Sequence, residues 1–197
     1  MFAKHFKLPI ITLVFSMSIF VSCDDNDDLS LIEAFKENII GNWQSQDSEF
    51  DETTHLYGLR TLILNALNWE IIIQRFADEE KTIPLFNLMF EGPYEITEAS
   101  NTVSDAYNGA FSFTRKIITV FADPAMLGLS GCGIIINEPF DYSDTGCAWL
   151  ESVEHCNSDY DLVSYENDTL TPGRRTDNMC EEEGRPTERG FPMLGLN

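Results

Sequence analysis

His155-Cys156-Asn157-Ser158-Asp159-Tyr160-Asp161-Leu162-Val163-Ser164-Tyr165, continued by Asn167-Asp168 and Thr169-Leu170-Thr171, is the stretch whose reading decides the fold. Tyr160, Leu162 and Ser164 alternate with Asp161, Val163 and Tyr165, so apolar groups fall on both faces. That pattern suits a strand packed on two sides, or one crossing from core to rim. Asn167-Asp168 marks a turn, and Thr169 to Thr171 returns as a second short strand. Cys156 stands just before this hairpin and Cys180 just after it, so a bond between them would clip its base shut. That is a structural device, not a catalytic one.

Upstream the same alternation recurs. Phe111 and Phe113, then Ile117-Ile118-Thr119-Val120-Phe121, carry the strongest β signal in the chain, and Asp123-Pro124 ends it. Leu62-Ile63-Leu64 and Ile71-Ile72-Ile73 flank Asn65-Ala66-Leu67-Asn68 and read as two strands joined by a tight connection, with one helix of this length as the alternative. Phe86 to Phe90 is a further strand; Gly92-Pro93 is expected to break it, with Tyr94 and Ile96 opening the next. Leu29 to Ile40 reads as a short amphipathic helix, with Ile32, Phe35 and Ile39 or Ile40 on one face and Gly41 as its stop. Gly41-Asn42-Trp43 then opens the first strand. About seven or eight short strands separated by turn signals predict a mainly β chain, an antiparallel β-barrel or half-barrel with one short N-terminal helix. A helix followed by Gly-x-Trp is also how lipocalin-like barrels begin, and that likeness would place Arg60 or Arg174 against Trp43 at the barrel base.

At the other end, Lys4 and Lys7 precede an uncharged apolar run from Leu8 to Val21, too short to span a bilayer comfortably. Residues 1–22 therefore read as a lipoprotein signal peptide. Phe20-Val21-Ser22-Cys23 resembles a bacterial lipobox with Cys23 as the lipidated residue; an ordinary secretory signal is the alternative. Residues 23–29, with Asp24-Asp25-Asn26-Asp27-Asp28, form an acidic tether similar to the surface-export signal of Bacteroidetes lipoproteins. The expected location is extracytoplasmic, lipid-anchored to the outer membrane and facing the cell surface. Residues 30–197 are expected to form one domain.

The chain carries 12 basic and 33 acidic residues, a net charge of -21. That balance excludes nucleic acid as a partner and makes anionic head groups unwelcome, so a lipid held here is expected to be neutral or presented tail-first. Besides Cys23, four cysteines remain: Cys132, Cys147, Cys156 and Cys180. Four allow three pairings; the hairpin reading favours Cys156 with Cys180 and leaves Cys132 with Cys147. Zinc is disfavoured because no Cys-x-x-Cys exists, and His155 beside Cys156 is poor chelate spacing. No Gly-x-Ser-x-Gly elbow and no Gly-rich phosphate loop appears, and carboxylate pairs are expected by chance in so acidic a chain. The chain reads as non-catalytic, with no cofactor and no metal.

The order Cys156, Tyr160-Asp161-Leu162-Val163, Gly173-Arg174, Cys180, Glu183, Arg185-Pro186-Thr187 resembles the end of the APCDD1 domain (adenomatosis polyposis coli down-regulated 1). Gly41-Asn42-Trp43-Gln44-Ser45, Glu49, Arg60, Trp69, Asp78, Pro84, Gly92-Pro93-Tyr94 and Ser100 follow the order of the same domain. Ser48 and Lys81 stand where animal members carry cysteines, the pattern of one lost disulfide. The resemblance implies a β-barrel with a hydrophobic, lipid-accommodating pocket; the Wnt-dampening role of the animal members is not carried over.

A barrel of about eight strands either fills itself with side chains or encloses one apolar ligand, and the residues alone leave both open. The resemblance favours the pocket, for which Trp43, Trp69, Phe86, Phe90, Phe111, Phe113, Ile118 and Val120 are the candidate lining. The leading expectation is a membrane-anchored lipoprotein whose barrel binds a lipid or other hydrophobic small molecule. The alternatives are a protein-interaction module with a filled core, or a carbohydrate-binding lipoprotein that uses Tyr142 and Trp149.

Overall fold

A computed structural model describes residues 25–176 and 178–196. The signal peptide and Cys23 lie outside the described residues. In chain order the elements are α1 (Asp25–Ile39), β1 (Gly41–Ser45), β2 (Glu49–Asp51), β3 (Leu56–Leu64), β4 (Asn68–Phe76) and β5 (Pro84–Ala99). There follow β6 (Ala106–Ser112), β7 (Arg115–Val120), β8 (Pro139–Asp141), β9 (Ser158–Glu166), β10 (Thr169–Pro172) and β11 (Met193–Gly195).

Eight of these strands close into an antiparallel barrel. The circuit runs β1, β3, β4, β5, β6, β9, β10, β11 and back to β1. The seam is short: Trp43 to Ser45 of β1 pair with Met193 to Gly195 of β11, and β11 pairs in turn with Thr169 and Leu170 of β10. Met193 is fully buried, so this three-residue strand is held by its core side chain as much as by its ladder.

Gly92-Pro93 does not end a strand. Glu91 pairs with Arg115 and Tyr94 with Phe111, so β6 and β7 run on past β5 as one line with a bulge at residues 112–114. A Cβ on Gly92 would stand 2.1 Å from the Ser112 carbonyl oxygen and 3.0 Å from Thr114 N. Glycine thus admits the bulge, and β5 stays continuous on both of its edges. The long strands β3 and β4 do form the expected hairpin, joined at residues 65–67.

α1 starts at Asp25, earlier than Leu29, and carries Lys36 in its last turn, where a cation suits a helix C-terminus. Phe35 and Ile39 pack into the barrel core, and the Phe35 ring stacks on Tyr107 at 4.2 Å. Trp43 Nε1 donates to the Ile39 carbonyl at 2.9 Å, tying helix to barrel. The arginine expected against Trp43 is elsewhere: Arg60 is engaged with Glu49, and Arg174 with Glu188.

Beyond the barrel, β7 and β8 roof a second apolar cluster of Phe86, Ile118, Val120, Leu129, Tyr142 and Leu150. The Cys132–Cys147 disulfide closes the loop that covers it. The second disulfide joins Cys156 to Cys180. It pins a strap, residues 173–176 and 178–192, across the outside of β9. Arg185 reaches through this strap to donate to the carbonyls of Gly109 and Asp161 at 2.6 and 2.5 Å, and its guanidinium sits 5.5 Å from the Tyr160 ring. That cover is why Leu162, on the outward face of β9, is as buried as the inward Val163. The two disulfides mark a chain that matures in an oxidising compartment. Among the described residues no helix is long and apolar enough to cross a membrane.

Candidate functional site

Period-two alternation puts every second residue of each barrel strand inside. On β3 these are Arg60, Leu62 and Leu64; on β4, Trp69, Ile71, Ile73 and Arg75; on β9, Asp159, Asp161 and Val163; on β10, Leu170 and Pro172. With Phe90 and Phe111 they enclose a cavity of about 690 Å³, open at one end, within the range of small-molecule sites. Residues 49–54 and 173–176, with Gly190 and Phe191, form its mouth.

The cavity is divided along the barrel axis. Its floor is apolar: Trp69 packs edge-on to Phe111 at 5.3 Å and donates its Nε1 hydrogen to the Ser112 carbonyl, which leaves the ring face for contact. Phe113 stands behind this wall, 5.6 Å from Trp69 and 5.3 Å from Phe90, with the Lys116 ammonium 4.3 Å over its ring. Lys116 itself is structural, donating to the carbonyls of Glu151, Ser152 and Cys156 at 3.3, 3.3 and 2.7 Å.

The upper wall is charged. Glu49 accepts from Ser45 Oγ at 2.7 Å and pairs with Arg60 at 2.8 Å, while Arg60 also donates to the Phe191 carbonyl at 3.0 Å. Arg175 pairs with Asp159 at 2.8 Å. Burial works against the Arg175 cation, but Asp159 and then Asp161 outweigh it and leave its pKa raised. Asp161 Oδ1 accepts the backbone N–H of Leu162 and of Gly173, at 2.7 and 3.0 Å. Burial nevertheless pushes its carboxyl up to about 7.

Of the eight aromatic and aliphatic candidates, Trp69, Phe90 and Phe111 line the cavity. Trp43 and Phe113 lie in the same barrel core without reaching its surface. Phe86, Ile118 and Val120 pack in the second cluster instead, because β7 leaves the barrel at the bulge. Sequence reasoning missed Arg60, Arg75, Asp159, Arg175 and Asp161. The signal was there in the spacing Trp69-x-Ile71-x-Ile73-x-Arg75, which sets an arginine on the same strand face as three apolar residues.

The cysteines pair as 132 with 147 and 156 with 180. Among the described residues, Glu151, Cys156 and Cys180 bring metal-ligand atom types together, but both sulfurs are spent on the disulfide. Ser152 Oγ meets His155 Nδ1 at 2.9 Å, away from the cavity. Tyr142, a candidate sugar platform, is buried, and burial raises its phenol pKa; Trp149 alone of that pair is exposed. No protein-family model matches the sequence, and no curated protein matches it.

Proposed function

We propose that this chain is a membrane-anchored extracytoplasmic lipoprotein that holds a lipid or other hydrophobic ligand in its barrel and performs no chemistry on it. The observation that carries the reading is the 690 Å³ cavity floored by Trp69, Phe90, Phe111, Ile71 and Val163. An eight-stranded barrel has just enough girth to fill itself, so a cavity of this size is a departure from the filled state. The lipobox-like Phe20 to Cys23 supports the anchor, and the likeness of residues 156–187 to the APCDD1 domain agrees with a pocket of this kind.

The test is titration of the chain carrying Cys23→Ser, so that no acyl group competes, with the neutral apolar fluorophore N-phenyl-1-naphthylamine. Saturable one-to-one binding, abolished by Val163→Trp at the cavity wall, is the expected result. Absence of saturable binding to folded, disulfide-bonded protein would transfer function to the outer surface of the barrel.

A further inference from the structure

Five of the 12 basic residues of this acidic chain, Arg60, Arg75, Arg174, Arg175 and Arg189, line the barrel cavity. Four of them are spoken for. Arg60 pairs with Glu49, Arg175 with Asp159 and Arg174 with Glu188, while Arg189 donates to the Ser104 carbonyl at 2.8 Å. The Arg75 backbone is paired in the ladders, but its guanidinium has no hydrogen bond and no ion pair among the described residues. It is partly buried, and that burial lowers its pKa against the weaker pull of Asp51 and Glu49.

The chain makes room for this guanidinium. Gly58 is the cross-strand partner of Arg75, and a Cβ there would lie 2.1 Å from Arg75 Nη1. The two acids that act on it have their nearest bonds elsewhere: Glu49 with Arg60, and Asp51 Oδ1 with the backbone N–H of Thr53 and Thr54 at 2.9 and 3.2 Å, so Asp51 attracts Arg75 without a direct hydrogen bond. A half-desolvated cation with an open fork of donors is costly unless something anionic fills it. Directly along the same face of β4 follow Ile73, Ile71 and Trp69. From Arg75 to Trp69 the strand runs about 20 Å at ~3.3 Å per residue, the reach of a long acyl chain.

We propose that the cavity selects a long-chain carboxylate, with its acyl chain laid down β4 toward Trp69 and its carboxylate on the Arg75 guanidinium. The inference rests on the barrel being a ligand site, and it revises the neutral lipid expected from overall charge: the global field is negative and Glu52 at the mouth adds to it, but Glu52 is exposed to water while the open Arg75 cation is partly buried in the wall. A single guanidinium presents two parallel N–H groups to two coplanar oxygens, which a carboxylate matches. A phosphate dianion would bring a second negative charge toward Asp51 and Glu49.

The experiment is displacement of N-phenyl-1-naphthylamine from the chain carrying Cys23→Ser by palmitate, methyl palmitate and hexadecyl phosphate. It is run below their micelle concentrations and near pH 8, where the free acid is ionised. Palmitate should compete at least about tenfold better than its methyl ester, the worth of one charge-assisted hydrogen bond. Arg75→Gln should remove that preference while leaving the ester's affinity in place. Equal affinity of wild type for acid and ester overturns the carboxylate assignment and leaves the pocket standing; this comparison needs no variant, so it holds even where Arg75→Gln fails to fold. Tighter binding of hexadecyl phosphate than palmitate overturns it in favour of a phosphate head. Failure of the fluorophore itself to bind overturns both readings.

Discussion

The Cys156–Cys180 disulfide closes a separation of 24 residues, and replacing both cysteines by alanine should cost about 3.5 kcal/mol on the chain-entropy estimate. That figure applies because both ends remain anchored in the native state without the bond. At one end Lys116 Nζ holds the Cys156 carbonyl at 2.7 Å, and Cys156 N donates to the Ser152 carbonyl at 3.1 Å. At the other, Tyr160 N donates to the Met179 carbonyl at 2.7 Å, the Met179 side chain is buried, and Arg185 grips the carbonyls of Gly109 and Asp161. The loss should therefore fall on the unfolded ensemble, which gains freedom, and not on the strap. Equilibrium urea unfolding followed by tryptophan emission should show a lower midpoint with a slightly larger m-value, since the unlinked chain exposes more surface. Native-state hydrogen exchange should still show the Gly173 and Arg174 amides opening only with the barrel. A loss under about 1 kcal/mol, or strap amides that exchange well before global unfolding, would refute this reasoning.

Gly92→Ala should destabilise the barrel by more than about 2 kcal/mol, because the new methyl meets the Ser112 carbonyl oxygen in a bulge with little freedom to yield. A thermal midpoint equal to wild type would show that the bulge gives way. Asp161→Asn keeps the acceptor oxygen for Leu162 N and Gly173 N but cannot ionise. Because burial raises the Asp161 carboxyl from its ordinary value of 3.8 to about 7, the folded state keeps its proton where the unfolded chain has lost it. This group thus costs wild-type stability progressively as pH rises from about 4 to about 7, and no further above that. The stability of Asp161→Asn relative to wild type should therefore climb across that window, by up to about 4 kcal/mol, and then level off. A difference that stays flat with pH would show that Asp161 ionises normally.

Much of the architecture was legible because it is local. Leu62-Ile63-Leu64 and Ile71-Ile72-Ile73 around a polar turn, and the strand from Tyr160 through Tyr165 with its Asn167-Asp168 turn, carry their pairing partners within a few residues. The hairpin between Cys156 and Cys180 likewise favours that pairing over the other two, and the disulfide is formed. Gly92-Pro93 was misread because a break and a bulge share the same residues; only the approach of Ser112 from another strand distinguishes them.

The sequence by itself determined the β class, the short helix that docks by Phe35, the oxidising compartment and the segments that become the long strands. Tertiary structure alone decided how the barrel closes and what it encloses. β2, β8 and β11 are three residues each, too short for any periodic signal, yet Met193 to Gly195 is what shuts the cylinder. On β9 both faces are buried, so alternation there could not say that Asp159, Asp161 and Val163 look inward while Leu162 lies under the strap. Arg75 lies far along the chain from Arg175 and shares a wall with it only once the barrel is closed; a period of two specifies which residues share a face, and the long-range pairing specifies which face is inside.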